Sequence, residues 1–263
     1  MLTIEMNLME TLNKNTEQKE NRKTVIQLRN VKKSFGAKEV LVDINMELHT
    51  GENLVVLGKS GTGKSVAIKC MVGLLVQDEG TIMVLEKEVN DLNSTDLKEL
   101  RTKVGFLFQS AALYDSMTVR ENLEFPLTRV LKIKDQKEVD ERIEEVLEAV
   151  GLLTAIDTMP SDLSGGMRKR IGLARTLILK PEIMLYDEPT TGLDPITSRE
   201  ISELILEMQK KYKTSSIIIT HDMACAEITA DRILVLNEGK VVAEGNFEEL
   251  KKSQDKLVSS FFK

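Results

Sequence analysis

The apolar positions in the first third of the chain predict strands that lead into a helix. Residues 25–28 form a strand-like run, and residues 44–48 alternate apolar and polar with period two. Residues 54–57 are continuously apolar, which is typical of a strand buried on both faces. A glycine-rich loop follows, and the apolar-rich residues 66–75 then favour a helix.

The middle of the chain has helical periodicity. Thr118 and Glu121 have the spacing of a capping box, in which a hydroxyl and a carboxylate satisfy free N–H groups reciprocally. Apolar positions recur at helical spacing afterwards: Val139, Ile143, Val146, Leu147 and Val150. Gly151 is a good helix stop. We predict that residues 110–179 are mainly helical.

Strand signals return in the last third. Residues 183–186 and 216–219 are short apolar runs of the buried-strand type, and a helical pattern from Pro195 to about Lys211 separates them. Residues 233–243 hold two apolar runs around a polar, glycine-containing turn, which predicts a hairpin. A charged helix is expected from Phe247.

Length and composition fit one large domain, or one domain with a helical subdomain. The chain has 263 residues, of which 41% are hydrophobic and 30% charged, so it can bury a sizeable core. Residues 1–24 are expected to be a flexible tail because much of this segment is polar and charged. We assign residues 25–252 to the structured domain and residues 253–263 to a C-terminal tail.

Charge and cysteine content narrow the function classes. The net charge is −6 and the pI about 5.3, which argues against a nucleic-acid partner. Cys70 and Cys225 are too few for a disulfide framework, and we interpret them as reduced thiols. The sequence has no apolar run of the roughly 20 residues needed to cross a bilayer. We therefore expect a cytoplasmic protein whose membrane role, if any, depends on a partner.

The loop after residues 54–57 matches the phosphate-loop pattern G-x-x-x-x-G-K-[ST]. Its residues are Gly58, Lys59, Ser60, Gly61, Thr62, Gly63, Lys64 and Ser65. The glycines let backbone N–H groups face a polyphosphate, and a helix start adds partial positive charge. Lys64 is expected to reach the β- and γ-phosphates of ATP, and Ser65 to ligate Mg²⁺. The alternative is a chance turn, which the strand–loop–helix context disfavours.

Two carboxylates follow the apolar run 183–186. Asp187 is expected to hold Mg²⁺, directly or through water, and Glu188 to polarise the attacking water. An acidic pair at a strand end is a weak signal alone and a strong one beside a phosphate loop. Together the two motifs predict a P-loop nucleotidase.

The segment Leu163-Ser164-Gly165-Gly166-Met167 leads into an apolar helix over residues 171–179. A serine and two glycines at a helix start indicate a second anion-binding site. An ordinary helix N-cap is the alternative. The position of this segment between the other two motifs favours the anion site.

With this set of motifs the sequence resembles the ABC ATPase family over residues 25–252. The resemblance implies an α/β fold, namely a P-loop NTPase core with an antiparallel β subdomain and a helical subdomain at about 110–179. It also implies an ATPase, converting ATP and water to ADP and phosphate, coupled to transmembrane transport.

The remaining family motifs occur in order. Phe35 corresponds to the aromatic residue that stacks on adenine, and Val40 is assigned to ATP binding with it. Gln109 corresponds to the glutamine that links Mg²⁺ and the attacking water to the helical subdomain. Asp194 matches a loop that communicates across a dimer, and His221 the switch histidine at the γ-phosphate. Core packing is the alternative for both Phe35 and His221.

ABC ATPases pair head to tail. The resemblance implies that Ser164, Gly165 and Gly166 of one copy cover the ATP bound to the phosphate loop of the other. The family usually has glutamine where this chain has Met167, which cannot make the same hydrogen bonds. Since Glu188 and His221 are both present, we predict two competent sites in a homodimer.

The substrate hypothesis depends on residues 108–127. They resemble the Mla-type ATPases, which serve phospholipid transport between bacterial membranes with a permease and an MCE-domain lipid-binding protein. Residues 163–167 and 194–197 are also Mla-like. The resemblance implies a permease of the MlaE type, a position on the cytoplasmic face of the inner membrane, and a docking surface around residues 111–114. Ordinary subdomain packing is the alternative for that surface.

Other functions share the nucleotide motifs. An ATPase of an amino-acid or methionine importer, or of a lipoprotein-release system, would carry all of them. A soluble ABC protein of translation or DNA repair usually has two ATPase domains or long inserted arms, and this sequence has neither. A P-loop kinase or GTPase would lack the segment at 163–167.

Overall fold

A computed structural model describes residues 22–262, which form one mixed sheet of ten strands with helices against it. The predicted tail over residues 1–24 lies outside the described residues, except for its last three. The strands are β1 (Thr24–Phe35), β2 (Lys38–His49), β3 (Asn53–Leu57), β4 (Glu79–Val84), β5 (Lys87–Glu88), β6 (Val104–Leu107), β7 (Ile183–Asp187), β8 (Ser215–Thr220), β9 (Arg232–Asn237) and β10 (Lys240–Gly245).

The sheet has a parallel part and an antiparallel part. The strand order is β5-β4-β1-β2-β10-β9-β3-β8-β7-β6, in which β9, β3, β8, β7 and β6 run parallel. Strands β5, β4, β1 and β2 pair antiparallel. This is the fold expected for an ABC ATPase, with its P-loop core and antiparallel β subdomain.

The parallel strands are buried on both faces, as their continuous apolar runs predict. Val55 and Leu57 of β3 face the cluster built with the helices of the middle segment. Leu54 and Val56 face the opposite cluster, built with β1, β2 and the helix after the phosphate loop. Successive residues of a strand point to opposite faces, so a strand between two layers needs apolar side chains at every position.

Several helices lie where the sequence predicts them, with shifts in their ends, but the helices over residues 94–103 and 223–229 were not predicted. The helices are α1 (Lys64–Met71), α2 (Ser94–Lys103), α3 (Val119–Arg129), α4 (Gln136–Ala149), α5 (Gly165–Leu177), α6 (Pro195–Tyr212), α7 (Met223–Thr229), α8 (Phe247–Lys251) and α9 (Lys256–Ser259). Helices α3, α4 and α5 pack together as the helical subdomain. The capping box of Thr118 and Glu121 is present at the start of α3.

A narrow seam joins the antiparallel part of the sheet to the parallel part. Strand β10 pairs with β2 only at Lys240 and Asp43, and the carbonyl of Gly239 accepts from the N–H of Val42 at 2.9 Å. A Cβ at Gly239 would lie 2.7 Å from the carbonyl oxygen of Val40. Glycine therefore allows this turn, which the sequence predicts as a hairpin, to approach β2 closely.

Some elements differ from the sequence prediction. The helix predicted over residues 66–75 ends at Met71, because Gly73 has a φ of 64° and turns the chain. Residues 253–262, set apart as a tail, contain α9, and the ring of Phe262 lies 5.3 Å from that of Phe247. This segment therefore packs on the domain.

Two further expectations concern thiols and membrane spans. Cys70 and Cys225 are both free and buried, and burial raises the pKa of each thiol to about 11. No helix within residues 22–262 has the length and hydropathy that a bilayer crossing requires.

Candidate nucleotide site

The phosphate loop connects β3 to α1 in a conformation that requires glycine. Gly61 and Gly63 have φ values of 82° and 100°. A Cβ at Gly63 would lie 2.7 Å from both the carbonyl oxygen of Val40 and Cδ2 of Leu41. The loop is thus held against β2, and its end opens the first turn of α1. A helix start with inward-facing amides fits a polyphosphate.

Lys64 places a buried ammonium inside this loop. Its Nζ donates to the carbonyl oxygens of Gly58 at 2.6 Å and Lys59 at 3.1 Å. It also lies 3.5 Å from Oε1 of Glu188. The sequence-predicted lysine and glutamate therefore meet at one point of the site.

Ser65 and Asp187 place two oxygen atoms close together at the start of α1. The Ser65 hydroxyl donates to Oδ1 of Asp187 at 2.8 Å. Asp187 ends β7, which is separated from β3 by β8, so the carboxyl ends of three parallel strands converge here. A hydroxyl and a carboxylate are ligands that Mg²⁺ takes together with phosphate oxygens, so this pair fits that ion.

Glu188 is held by contacts from three directions. Its φ is 52°, and its N–H donates to the carbonyl oxygen of Ile219 at 2.9 Å. Its Oε2 lies 2.8 Å from Nδ1 of His221 and accepts from the Thr191 hydroxyl at 3.3 Å. His221 is exposed, so the alternative of a core histidine is wrong. A carboxylate fixed in this way is suited to orient a water molecule.

Most of the predicted site residues line one cleft of about 450 Å³, whereas Gly58, Lys59, Thr62 and Asp187 lie outside its lining. The cleft brings together residues from both parts of the sheet: Phe35, Lys38, Val40, Ser60, Gly61, Gly63, Lys64, Ser65, Val66, Gln109, Glu188, Thr191 and His221. Phe35 is 48% exposed at the end of β1, so the alternative of a core phenylalanine is also wrong. An exposed ring at the edge of a cleft is available for stacking on a base.

The segment Leu163–Met167 lies outside the lining of that cleft. Ser164 is exposed and caps α5, because its Oγ accepts from the N–H of Met167 at 3.2 Å. The N-cap alternative therefore describes its contacts within one chain. A Cβ at Gly166 would lie 2.6 Å from Cγ2 of Thr197, so glycine lets the start of α5 approach α6.

Asp194 caps α6 in the same region. Its Oδ1 accepts from the N–H groups of Ile196 and Thr197, and its Oδ2 accepts from the Thr197 hydroxyl at 2.6 Å. The bond from the Thr197 side chain, followed by that from its N–H, lowers the pKa of Asp194. Asp194 and Ser164 therefore lie near one another, at the starts of two adjacent helices.

Residues 111–114 contribute to both packing and surface. Ala111 is buried, and a Cβ at Gly172 of α5 would lie 2.8 Å from its Cβ. Tyr114 is 41% exposed, and its ring lies 5.2 Å from that of Phe125. Tyr114 lines a second cleft, of about 370 Å³, between the edge strand β6 and the helical subdomain.

Several residues in or near the site were not predicted from the sequence. Thr191 touches Glu188, and the buried Lys169 donates to the carbonyl oxygens of Gln109 and Glu188. Asn122 is fully buried and binds the main chain of residues 114–118. Asn122 could have been found in the sequence as a polar residue on the apolar face of a predicted helix.

Comparisons with known proteins agree with this geometry. A family model described as ABC transporter matches residues 41–191. The methionine import ATP-binding protein MetN of Clostridium tetani is 38% identical over 226 residues, which are 86% of this chain and 70% of that protein. The chloroplastic protein TRIGALACTOSYLDIACYLGLYCEROL 3 of Arabidopsis thaliana is 39% identical over 254 residues, covering 90% of this chain and 73% of its own length.

Solved structures share the fold. The structure of cbiO1 from Clostridium perfringens, described as part of an ABC transporter complex, has a TM-score of 0.80 at 29% identity and covers 86% of this chain and 90% of its own. The dimeric ATP-binding cassette MJ0796, bound to ADP and phosphate, has a TM-score of 0.75 at 32% identity, with 84% and 98% covered.

Proposed function

This chain belongs to the ABC transporter family, and from that premise we propose that it energises phospholipid transport between bacterial membranes. Members of the family bind ATP and hydrolyse it to power transport, and this chain is the ATPase subunit of an ABC transporter. The substrate, the membrane partner and the roles of individual residues are the parts that we propose.

We assign the binding of ATP to the cleft on Gly58–Ser65. Lys64 and the loop amides would neutralise the β- and γ-phosphates, and Phe35 with Val40 would hold the base. Mg²⁺, when bound, supplies charge neutralisation at the phosphates. The oxygens of Ser65 and Asp187 lie 2.8 Å apart and would hold it together with Gln109.

Hydrolysis would depend on how Glu188 is held. Its carboxylate accepts from Thr191 and lies 2.8 Å from Nδ1 of His221. In the proposed role, Glu188 orients the attacking water and takes up its proton, while His221 keeps the carboxylate turned toward the γ-phosphate. Positioning and charge stabilisation are the main sources of rate in phosphoryl transfer.

A second copy of the chain would complete each site. Ser164, Gly165 and Gly166 lie outside the chain's own cleft, at a helix start suited to anions. The neighbouring cassette structures are dimers. A head-to-tail pair would bring this helix start of one copy, with Asp194 beside it, over the nucleotide of the other.

The observation that carries the lipid proposal is the similarity to the Arabidopsis protein, whose name is that of a diacylglycerol glycolipid. It is 39% identical and covers 90% of this chain. The Mla-like residues 108–127 and 163–167 support the same assignment. Met167 is half-buried against the core, so the residue that departs from the usual glutamine has a packing role.

The membrane partner would bind the second cleft. The cleft is mainly apolar, with the exposed side chains of Leu74, Tyr114 and Val130 at its rim and Arg101 and Arg175 among its walls. Apolar and aromatic surface with a few charges fits a short amphipathic helix of a permease. We propose that a permease of the MlaE type, working with an MCE-domain protein, docks here and holds the chain peripherally at the cytoplasmic face of the inner membrane.

A methionine importer is the second candidate. The methionine import protein of Clostridium tetani is 38% identical to this chain, and the match covers 86% of this chain. Both candidates use the same nucleotide site, so the membrane partner and its cargo decide between them.

Purification of the chain at native expression levels tests the proposal. We expect a multispanning permease and bound phospholipid to co-purify, and phospholipid vesicles containing that permease to raise ATP turnover. Stimulation by methionine with its binding protein would favour the importer. Co-purification of ribosomes or DNA without a permease would contradict transport altogether.

A further inference from the structure

Lys169 connects three parts of the molecule that carry separate functions. It lies in the first turns of α5, which begins with the Ser164–Gly166 segment, and its residue is only 6% exposed. Its Nζ donates to the carbonyl oxygen of Gln109 at 2.6 Å and to that of Glu188 at 3.2 Å. One ammonium therefore bonds the main chain of both residues that are proposed to face the attacking water.

The burial of this ammonium is costly for the fold. Burial lowers the pKa of Lys169, against an opposing effect of Glu188 and Asp187. A lysine of this kind is rarely buried unless its charge is compensated. An uncharged side chain of similar length would fill the same volume without that desolvation, so packing alone does not account for lysine here.

The same face of α5 also restrains the segment that follows Gln109. Ala111 and Ala112 have φ values of 62° and 50°, a left-handed conformation that is unfavourable for residues other than glycine. Gly172 packs against Ala111, and Arg175 donates to the carbonyl oxygen of Ala112 at 2.8 Å. Lys169, Gly172 and Arg175 lie three residues apart along the helix, so together they hold a strained segment in place.

We propose that Lys169 is a positioning residue for ATP hydrolysis. It keeps the main chain of Gln109 and Glu188 at a fixed position relative to α5, so that both side chains face the nucleotide. Because the start of α5 is proposed to cover the partner's nucleotide, Lys169 also links each copy's own catalytic pair to the other site. This inference rests on the ATPase function and on the head-to-tail pairing proposed above.

Steady-state hydrolysis of Mg-ATP by the full chain tests the inference. Lys169→Met removes the donors and keeps most of the volume. We expect kcat to fall about tenfold or more, a loss of at least 1.4 kcal/mol in transition-state stabilisation, while KM for Mg-ATP changes less than about threefold. Lys210→Met makes the same chemical change at an exposed position of α6 and should leave both constants at the wild-type values.

A purely structural role would give a different pattern. In that case kcat, the apparent affinity for Mg-ATP and the thermal midpoint would decline together, and that result would overturn the proposal. A kcat within twofold of wild type would overturn it as well. If the methionine variant does not fold, Lys169→Gln keeps an amide NH₂ that can still donate, and it should show a smaller loss of kcat with KM again retained.

The wild-type measurement separates this inference from the proposed function. Absence of turnover in the wild type would contradict the ATPase function and, with it, the role of Lys169. Turnover in the wild type with unchanged kcat in Lys169→Met would contradict the role of Lys169 alone.

Discussion

At the scale of single residues, Glu188 is the group on which hydrolysis depends most directly in our proposal. Its carboxylate contacts Lys64, Thr191 and His221, and its main chain is fixed by Ile219 and Lys169. Such a group has little freedom to rotate away from the cleft. A substitution of Glu188 that keeps its shape can therefore separate its role in hydrolysis from its role in ATP binding.

Glu188→Gln is expected to bind ATP and barely hydrolyse it. The amide keeps the shape but cannot take up a proton, and loss of a general base costs about 100-fold or more in kcat. Equilibrium binding and single-turnover hydrolysis measure the two effects. Glu182→Gln, an exposed change at the residue before β7, serves as the control. Near-normal turnover in Glu188→Gln would remove Glu188 from its role.

The sequence predicted those residues of the site that belong to contiguous motifs. Lys64, Ser65 and Asp187 were found because a loop or strand end is a local pattern that the backbone geometry requires. Lys169 was not predicted, since its partner Gln109 lies 60 positions away in the chain. Within residues 168–170 it is one of three consecutive basic residues, a pattern typical of an exposed face. Only packing reveals that the middle one is buried.

At the scale of elements, α5 and the segment after β6 act as a pair. Strand β6 has only four residues and includes Gly105, whose Cβ would meet Cγ2 of Thr176 at 2.5 Å. Glycine weakens strand propensity but permits this close approach of helix and strand. For that reason β6 was not predicted as a strand, whereas the strands β3, β7 and β8 were predicted from their apolar runs.

Gly172→Ala is expected to disturb this pair. Alanine normally favours a helix interior by about 1 kcal/mol over glycine. Here the new methyl would lie 2.8 Å from Cβ and 3.0 Å from the carbonyl oxygen of Ala111. Overpacking of about 1–3 kcal/mol should outweigh the gain, so we expect a lower free energy of unfolding and a lower kcat, measured by denaturant titration and ATPase assay.

Gly151→Ala is the control for Gly172→Ala. Gly151 has a φ of 70°, and the nearest atom to an added Cβ is 3.9 Å away. Its replacement should cost about 1–2 kcal/mol of stability through backbone strain alone and leave kcat unchanged. Equal kcat values for the two variants would contradict the coupling between α5 and residues 109–112.

At the scale of the whole molecule, two clefts lie on either side of residues 108–114. Gln109 lines the nucleotide cleft, and Phe108 and Tyr114 line the cleft proposed for the permease. The same short segment therefore contributes to the walls of both clefts. Such a connection provides a physical path between ATP and a membrane partner.

A charge in the second cleft should abolish partner binding. Val130 is 44% exposed at the rim of this cleft, so Val130→Asp should cost little stability but place an unpaired carboxylate against an apolar partner. We expect the variant to lose co-purification of the permease. Val242→Asp, at an equally exposed valine of β10, should retain it. Retention by both variants would place the permease elsewhere.

If Phe35 and Val40 hold the base as proposed, they also influence which nucleoside triphosphate the chain hydrolyses. Phe35 and Val40 carry no hydrogen-bonding group in their side chains, and every purine offers a flat face for stacking. Discrimination between purines normally requires paired contacts to the base edge, worth about 1–3 kcal/mol each. We therefore expect kcat/KM for Mg-GTP to lie within about tenfold of that for Mg-ATP in direct competition, and a preference beyond about 100-fold would indicate an edge contact from another residue. With a preference of less than about tenfold, the nucleotide hydrolysed in a cell would depend on the relative concentrations of ATP and GTP. A fall in the ratio of ATP to GTP would then leave hydrolysis of GTP to power transport.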